Sequence, residues 1–157
     1  MALRRFGQIL VDLGFISDEQ LEMLLEEQSA HPGEKLGKIA EEMGLITDEQ
    51  IAVALAEQMG MQVVSLGDVQ IPRNVLKEIT EAMAQLYRVV PLKLEDNTLT
   101  IATSEPQNLT VQDELRTFLG RDIRMVVANA TELNKALERY YATEGETVES
   151  VISELEG

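Results

Sequence analysis

Through the first sixty residues, apolar side chains recur at spacings of three and four. That period predicts short amphipathic helices. Beyond residue 60 the pattern changes to short β-branched runs alternating with helical stretches. Gln62 to Leu66 and Ile123 to Ala128 are expected to be strands. Val89 to Leu94 and Thr98 to Thr103 flank Glu95-Asp96-Asn97, the signature of a hairpin, with Pro91 suited to an edge or the beginning of its strand. Helices are expected from Ile71 to about Leu86, from Val111 to Leu119 with a stop at Gly120, and from Thr131 to Tyr141. The expected class is α+β. Residues 1–60 form a helical subdomain of two αα-hairpins, 61–142 a small sheet covered by helices, and 143–157 an acidic linker or tail. That tail carries a short amphipathic pattern at Val148, Val151, Ile152 and Leu155.

The helical stretch contains one hairpin twice, offset by thirty positions. Arg5 through Gln28 aligns with Lys35 through Gln58 without a gap. A tight repeat is a structural unit used twice. Its best-kept part is explained by the turn. Ser17 and Thr47 stand where N-caps belong, and Gln20 and Gln50 complete capping boxes. Ile16 with Leu21, and Ile46 with Ile51, occupy hydrophobic-staple positions. Asp18-Glu19 and Asp48-Glu49 place negative charge on helix N-termini, where the dipole favours it. Gly14 and Gly44 suit the left-handed residue that ends a helix. Leu25 and Leu55 suit helix-face packing. Three pairs are not demanded by the turn: Arg5 and Lys35, Gly7 and Gly37, Gln28 and Gln58. Glycine in a first helical turn costs up to about 1 kcal/mol against alanine. Its retention has two readings: something approaches the backbone, or two helices cross closely there.

Charge and composition narrow the function. The net charge is −15, of which residues 1–60 carry −8 and the last fourteen residues −5. Such a surface repels a nucleic-acid backbone, because binding there needs Lys and Arg to displace counterions. Nucleic acid is therefore excluded as a main partner. The chain has no Cys and one His, His31, in a Pro-Gly loop. Thiolate metal sites and Ser/His/Asp or Cys/His catalytic sets are excluded. No G-x-x-x-x-G-K-[ST] loop occurs, so there is no cradle of that kind for a nucleotide's phosphates. No apolar run approaches the roughly 20 residues of a membrane span, and the N-terminus lacks a signal-peptide core. A cytoplasmic, non-catalytic protein is the expectation, peripheral at the inner membrane only through a partner.

The repeat resembles the tandem motif of the N-terminal domain of type II secretion and type IV pilus assembly ATPases, the MshE N-terminal-type domain. That motif reads R-L-G-x-x-L-x-x-x-G-x-x-x-x-x-x-L-x-x-x-L-x-x-Q, twice. The first copy here supplies Arg5, Phe6, Gly7, Leu10, Gly14, Leu21, Leu25 and Gln28. The second supplies Lys35, Leu36, Gly37, Ala40, Gly44, Ile51, Leu55 and Gln58, after the spacer Ser29 to Glu34. Tyr87 to Leu92, Ala102 to Asn108, Asp113 to Leu115 and Gly120 also resemble the family, so the likeness spans residues 3 to 142.

The resemblance implies two roles. In some members the tandem motif binds cyclic di-GMP, with the Arg, the backbone near Gly, the apolar positions and the Gln in contact. Carried over, the ligand-binding residues are Arg5, Phe6, Gly7, Leu10, Leu21, Leu25, Gln28, Lys35, Leu36, Gly37, Ile51, Leu55 and Gln58. In other members the region docks the ATPase on a secretion or pilus platform protein, without nucleotide. The ATPase core is then a partner in cis or in trans. Three departures bear on the ligand: Phe6 for Leu, Lys35 for Arg and Ala40 for Leu. A lysine is a point charge, where arginine offers a planar fork.

Overall fold

The computed structural model describes residues 5–67 and 69–141. The expected tail, with its pattern from Val148 to Leu155, lies outside the described residues. The class is α+β, as expected. Four helices come first: α1 (Phe6–Asp12), α2 (Asp18–Ala30), α3 (Leu36–Glu42) and α4 (Asp48–Met59). They form the two hairpins of the repeat. Gly14 and Gly44 adopt φ of +80° and +75°. Behind them Phe15 N–H reaches Leu10 O and Leu45 N–H reaches Ala40 O, both at 2.9 Å. Ser17 and Thr47 accept from Gln20 and Gln50 N–H at 3.1 Å, and each glutamine side chain accepts in return from the cap's own N–H. Both capping boxes are complete. Ile9, Leu10, Leu24, Ile39 and Ala40 form the shared core of this helical part.

The second part is a three-stranded sheet in the order β1 (Val89–Glu95), β2 (Thr98–Thr103), β3 (Asp122–Val127). β1 and β2 are antiparallel, and β2 and β3 are parallel. Asp96 and Asn97 turn the hairpin with φ of +49° and +65°, a conformation Asp and Asn tolerate. Pro91 lies on the edge strand, and the register shifts between it and Lys93. Helices α5 (Arg73–Leu76), α6 (Glu81–Tyr87), α7 (Leu109–Leu119) and α8 (Ala130–Tyr140) accompany the sheet. The core here is aliphatic, with Ile79, Leu99, Ile101, Leu115, Leu133 and Leu137 each at most 1% exposed.

Two expected elements differ. Gln62 to Leu66 is not a strand but a single parallel bridge of Val63 to Val127. Glu132 explains why the pairing stops: its carboxylate accepts from the Ser65 hydroxyl and from Leu66 N–H, pulling the chain off the sheet edge. The stretch from Ile71 to Leu86 is two short helices, because Thr80 caps a new one by accepting from Met83 N–H at 3.2 Å. The break leaves carbonyls near a buried Ile79. The Tyr141 hydroxyl lies 2.9 Å from Leu76 O and 3.1 Å from Ile79 O, and serves both.

Burial pushes Tyr141 up to about 12 from its ordinary value near 10. The hydroxyl therefore stays a donor in the folded state at a pH where the unfolded chain has lost that proton. Tyr141→Phe is expected to cost about 1–3 kcal/mol at neutral pH, the penalty of unsatisfied buried acceptors. Urea unfolding measures it. The wild type loses stability as pH rises from about 10 to about 12, since only the unfolded state deprotonates there. The Phe variant shows a shallower decline, since Tyr87 is also raised, first by its hydrogen bond to Glu114.

Candidate functional site

The two hairpins interlock rather than stand side by side. α1 packs on α4 as well as α2, and α3 packs on α2 and on α1. At the centre of the crossing lie Gly7 and Gly37, both buried. A β-carbon on Gly7 would sit 2.5 Å from Leu21 Cδ1 and 3.0 Å from Leu36 Cδ2. One on Gly37 would sit 3.0 Å from Phe6 Cε1 and 3.6 Å from Ile51 Cγ2. The arrangement is reciprocal: the side chain preceding each glycine packs over the glycine of the other copy. Close helix approach accounts for both glycines.

This crossing opens on one side into a cleft of about 650 Å³. Phe6 and Gln28 reach it from the first copy. Lys35, Leu36, Gly37, Ile51, Leu55 and Gln58 reach it from the second. Phe6, Leu36, Ile51 and Leu55 are half-buried and form an apolar floor. Lys35 is the N-cap residue of α3, with extended backbone angles, and its side chain reaches across to the sheet part. There its Nζ lies 2.8 Å from Glu105 Oε1. Gln28 closes the loop between α2 and α3, its side-chain amide donating to Glu34 O at 3.1 Å.

Not every expected site residue lines the cleft. Leu10 is fully buried in the helical core, and Leu21 is half-buried behind Gly7. Gly7 itself is sealed by Leu21 and Leu36. Arg5 and Leu25 are exposed outside the cleft wall, Leu25 at 49%. The wall contains residues the repeat alone did not suggest: Lys38, Glu41, Asp48, Ser104, Glu105, Gln107 and Ala130. Lys38 and Glu41 follow Lys35 at three-residue spacing along α3, a helical signal that was legible. Ser104 to Gln107, between β2 and α7, is a long-range neighbour that periodicity cannot bring close.

Asp48 has a second duty beyond its helix dipole. Its Oδ2 accepts from Thr131 N–H at 2.8 Å, joining the first turn of α4 to the first turn of α8. With the exposed Lys35–Glu105 pair it links the sheet part to the hairpins across the cleft. Ala52 and Ala56 of α4 bury against Val127 of β3. The charged lining is mixed, with Lys35 and Lys38 against Glu41, Asp48 and Glu105. No group of three or more His, Cys, Asp or Glu able to hold a metal ion occurs among the described residues.

The MshEN domain model matches residues 59–147 of this chain, more than half its length. The chain belongs to the MshEN domain family. The matched stretch begins at the end of α4 and runs through the sheet part, and longer likenesses take in the hairpins as well. The chain is 29% identical over 151 residues to the type IV pilus assembly ATPase PilB of Myxococcus xanthus, covering 96% of this chain and 26% of that protein. It is 33% identical over 141 residues to bacteriophage adsorption protein B of Escherichia coli K12, covering 90% of this chain and 19% of that one. The chain thus spans about a quarter of the first relative and a fifth of the second. Its fold matches the solved structure of MshE with cyclic di-GMP at TM-score 0.78 and 29% identity, over 88% of this chain and 99% of that one. The N-terminal domain of XpsE has the same fold at TM-score 0.70 and 19% identity, over 90% and 99% of the two chains. No helix among the described residues of this MshEN domain is long and apolar enough to cross a membrane.

The close crossing makes a prediction. Gly7→Val and Gly37→Val should each destabilise the fold by about 1–3 kcal/mol, the usual cost of overpacking. The added β-carbon meets the end of the Leu21 side chain at Gly7 and the rigid ring of Phe6 at Gly37. Denaturant midpoints check both.

Proposed function

We propose that this MshEN domain is a non-catalytic regulatory module that binds cyclic di-GMP in the cleft between the paired hairpins and the sheet part. The observation that carries the reading is the convergence of Phe6, Gln28, Lys35, Leu36, Gly37, Ile51, Leu55 and Gln58 on one concave surface. Its likeness to MshE solved with cyclic di-GMP supports the same ligand class. A cleft of about 650 Å³ falls in the range of small-molecule sites, typically about 300–1,000 Å³. The chemistry fits the ligand in kind. A guanine ring is planar and stacks on an apolar floor. Gln28 and Gln58 offer amide donors and acceptors to a base edge. Lys35 and Lys38 offer positive charge to a phosphate.

Residues 1–60 would hold most of the ligand, and residues 61–142 would close the cleft's far wall and relay occupancy. An ATPase core, in cis or in trans, would be the recipient. The two relatives bear different names, a pilus ATPase and a phage adsorption protein. That supports a portable input module whose output depends on what it is joined to. The working place of such a module is the cytoplasm, at the inner membrane only through its partner.

The alternative is docking on a secretion or pilus platform protein without nucleotide. It is favoured by the −8 charge of residues 1–60, which suits a basic partner.

Calorimetric titration with cyclic di-GMP separates the two readings. Binding by the wild type is expected. Lys35→Ala should weaken it about tenfold or more, the scale of a lost charge-assisted contact. Leu55→Glu should abolish it while circular dichroism and the thermal midpoint stay near wild type. Lys35→Arg should tighten it. No heat from folded protein at high micromolar ligand defeats the ligand reading and leaves docking. Docking in turn fails if deleting residues 1–60 leaves capture of the platform protein unchanged.

A further inference from the structure

Within the cleft, the lysine expected to meet a ligand's phosphate already has an anion. Lys35 Nζ lies 2.8 Å from Glu105 Oε1. The two residues are seventy positions apart and belong to different parts of the fold. Glu105 is held in place from its own side. Its backbone N–H donates to Thr103 Oγ1 at 3.1 Å, and Pro106 beside it is buried. Thr103 is itself the last residue of β2 and only 4% exposed. The carboxylate is thus presented to the cleft by a loop anchored on the central strand. The lysine side is fixed by the start of α3.

We propose that Glu105 is a tethered counter-anion, which a ligand phosphate displaces from Lys35, so that filling the cleft releases the loop between β2 and α7. This proposal rests on the cyclic di-GMP reading above and adds to it a route of regulation. Three observations carry it. First, both side chains of the pair are more than half exposed, at 62% and 53%, so the pair is weak and readily exchanged. Secondly, Lys35 is a point charge that serves one anion well, and a phosphate carries a full charge into the same space. Thirdly, the pair bridges the helical part and the sheet part, so exchanging it changes a contact between them.

The consequence is a built-in cost on binding. Glu105 both occupies the lysine and repels a doubly anionic ligand. Neutralising it should raise affinity, but only where Lys35 is present to be freed. After displacement, Ser104 to Asn108 loses a link to α3, and α7, which begins at Leu109, feels the change first. Ligand occupancy would then be read out on the sheet part rather than on the hairpins that hold most of the ligand.

The test is a double-mutant cycle on the full chain, titrated with cyclic di-GMP by calorimetry at moderate salt. The variants are Glu105→Gln, Lys35→Gln and both together. Glu105→Gln is expected to bind about three- to fivefold tighter than wild type, the scale of an exposed ion pair. The gain should shrink to less than about 1.5-fold in the Lys35→Gln background, where no pair remains to be broken. Hydrogen exchange on the wild type should show faster exchange of the 104–108 amides when ligand is bound. Weaker binding of Glu105→Gln in both backgrounds overturns the proposal, because the carboxylate would then touch the ligand itself. Unchanged binding of Glu105→Gln overturns it as well, while leaving the ligand reading intact. No heat from any folded variant defeats the ligand reading, and this proposal with it.

Discussion

The close approach of α1 and α3 at Gly7 and Gly37 is the constraint on which the rest of this molecule depends. Each glycine receives the side chain that precedes the other, Phe6 over Gly37 and Leu36 over Gly7. A larger residue at either point would hold the helices apart and unseat Leu21 or Ile51 beneath. Because the contact is reciprocal, the two hairpins form one body with one core, from Ile9 and Leu10 to Ile39 and Ala40. A single repeat cannot bury its apolar face alone, and stacking on a neighbour gives it a continuous core.

From that crossing the cleft follows. The same side chains that seal the glycines present their outer edges to solvent, so the interlock's rim becomes the cleft's apolar floor. The sheet part supplies the other wall. It is placed by Asp48 at the N-terminus of α8 and by the alanines of α4 against Val127, and the exposed Lys35–Glu105 pair spans the cleft. Ala52 and Ala56 let α4 lie against β3 at Val127. Structure and proposed function thus share residues. Phe6 and Leu36 pack the fold and line the site, and a change at either would be felt in both.

Much of the fold was legible in the sequence because its signals are local. The capping boxes at Ser17 and Thr47, the left-handed Gly14 and Gly44, and the Asp96-Asn97 hairpin are short-range chemistry and appear as expected. The differences came from one long-range contact and one local cap. Gln62 to Leu66 has strand-like composition, but Glu132, far along the chain, captures it after one bridge. The helix expected from Ile71 to Leu86 is broken by a local signal, the Thr80 cap, and Tyr141 from far along the chain donates to the carbonyls of Leu76 and Ile79 at the break. The lining of the cleft was legible in part for the same reason. The repeat marks Phe6, Gln28 and the Lys35–Gly37 corner. It does not mark Ser104 to Gln107, which only the tertiary fold brings near, nor does it say that Leu10 is sealed in the core.

The central claim is that the interlocked hairpins and the β2–α7 loop make one ligand site. Amide chemical-shift mapping during titration with cyclic di-GMP tests it most directly, since every position reports at once. The account predicts saturable shifts that cluster at Phe6, Gln28, Lys35 to Gly37, Ile51, Leu55 and Gln58, and at Ser104 to Gln107 across the cleft. Shifts that are absent at saturating ligand, or that are confined to surfaces away from these residues, would contradict it.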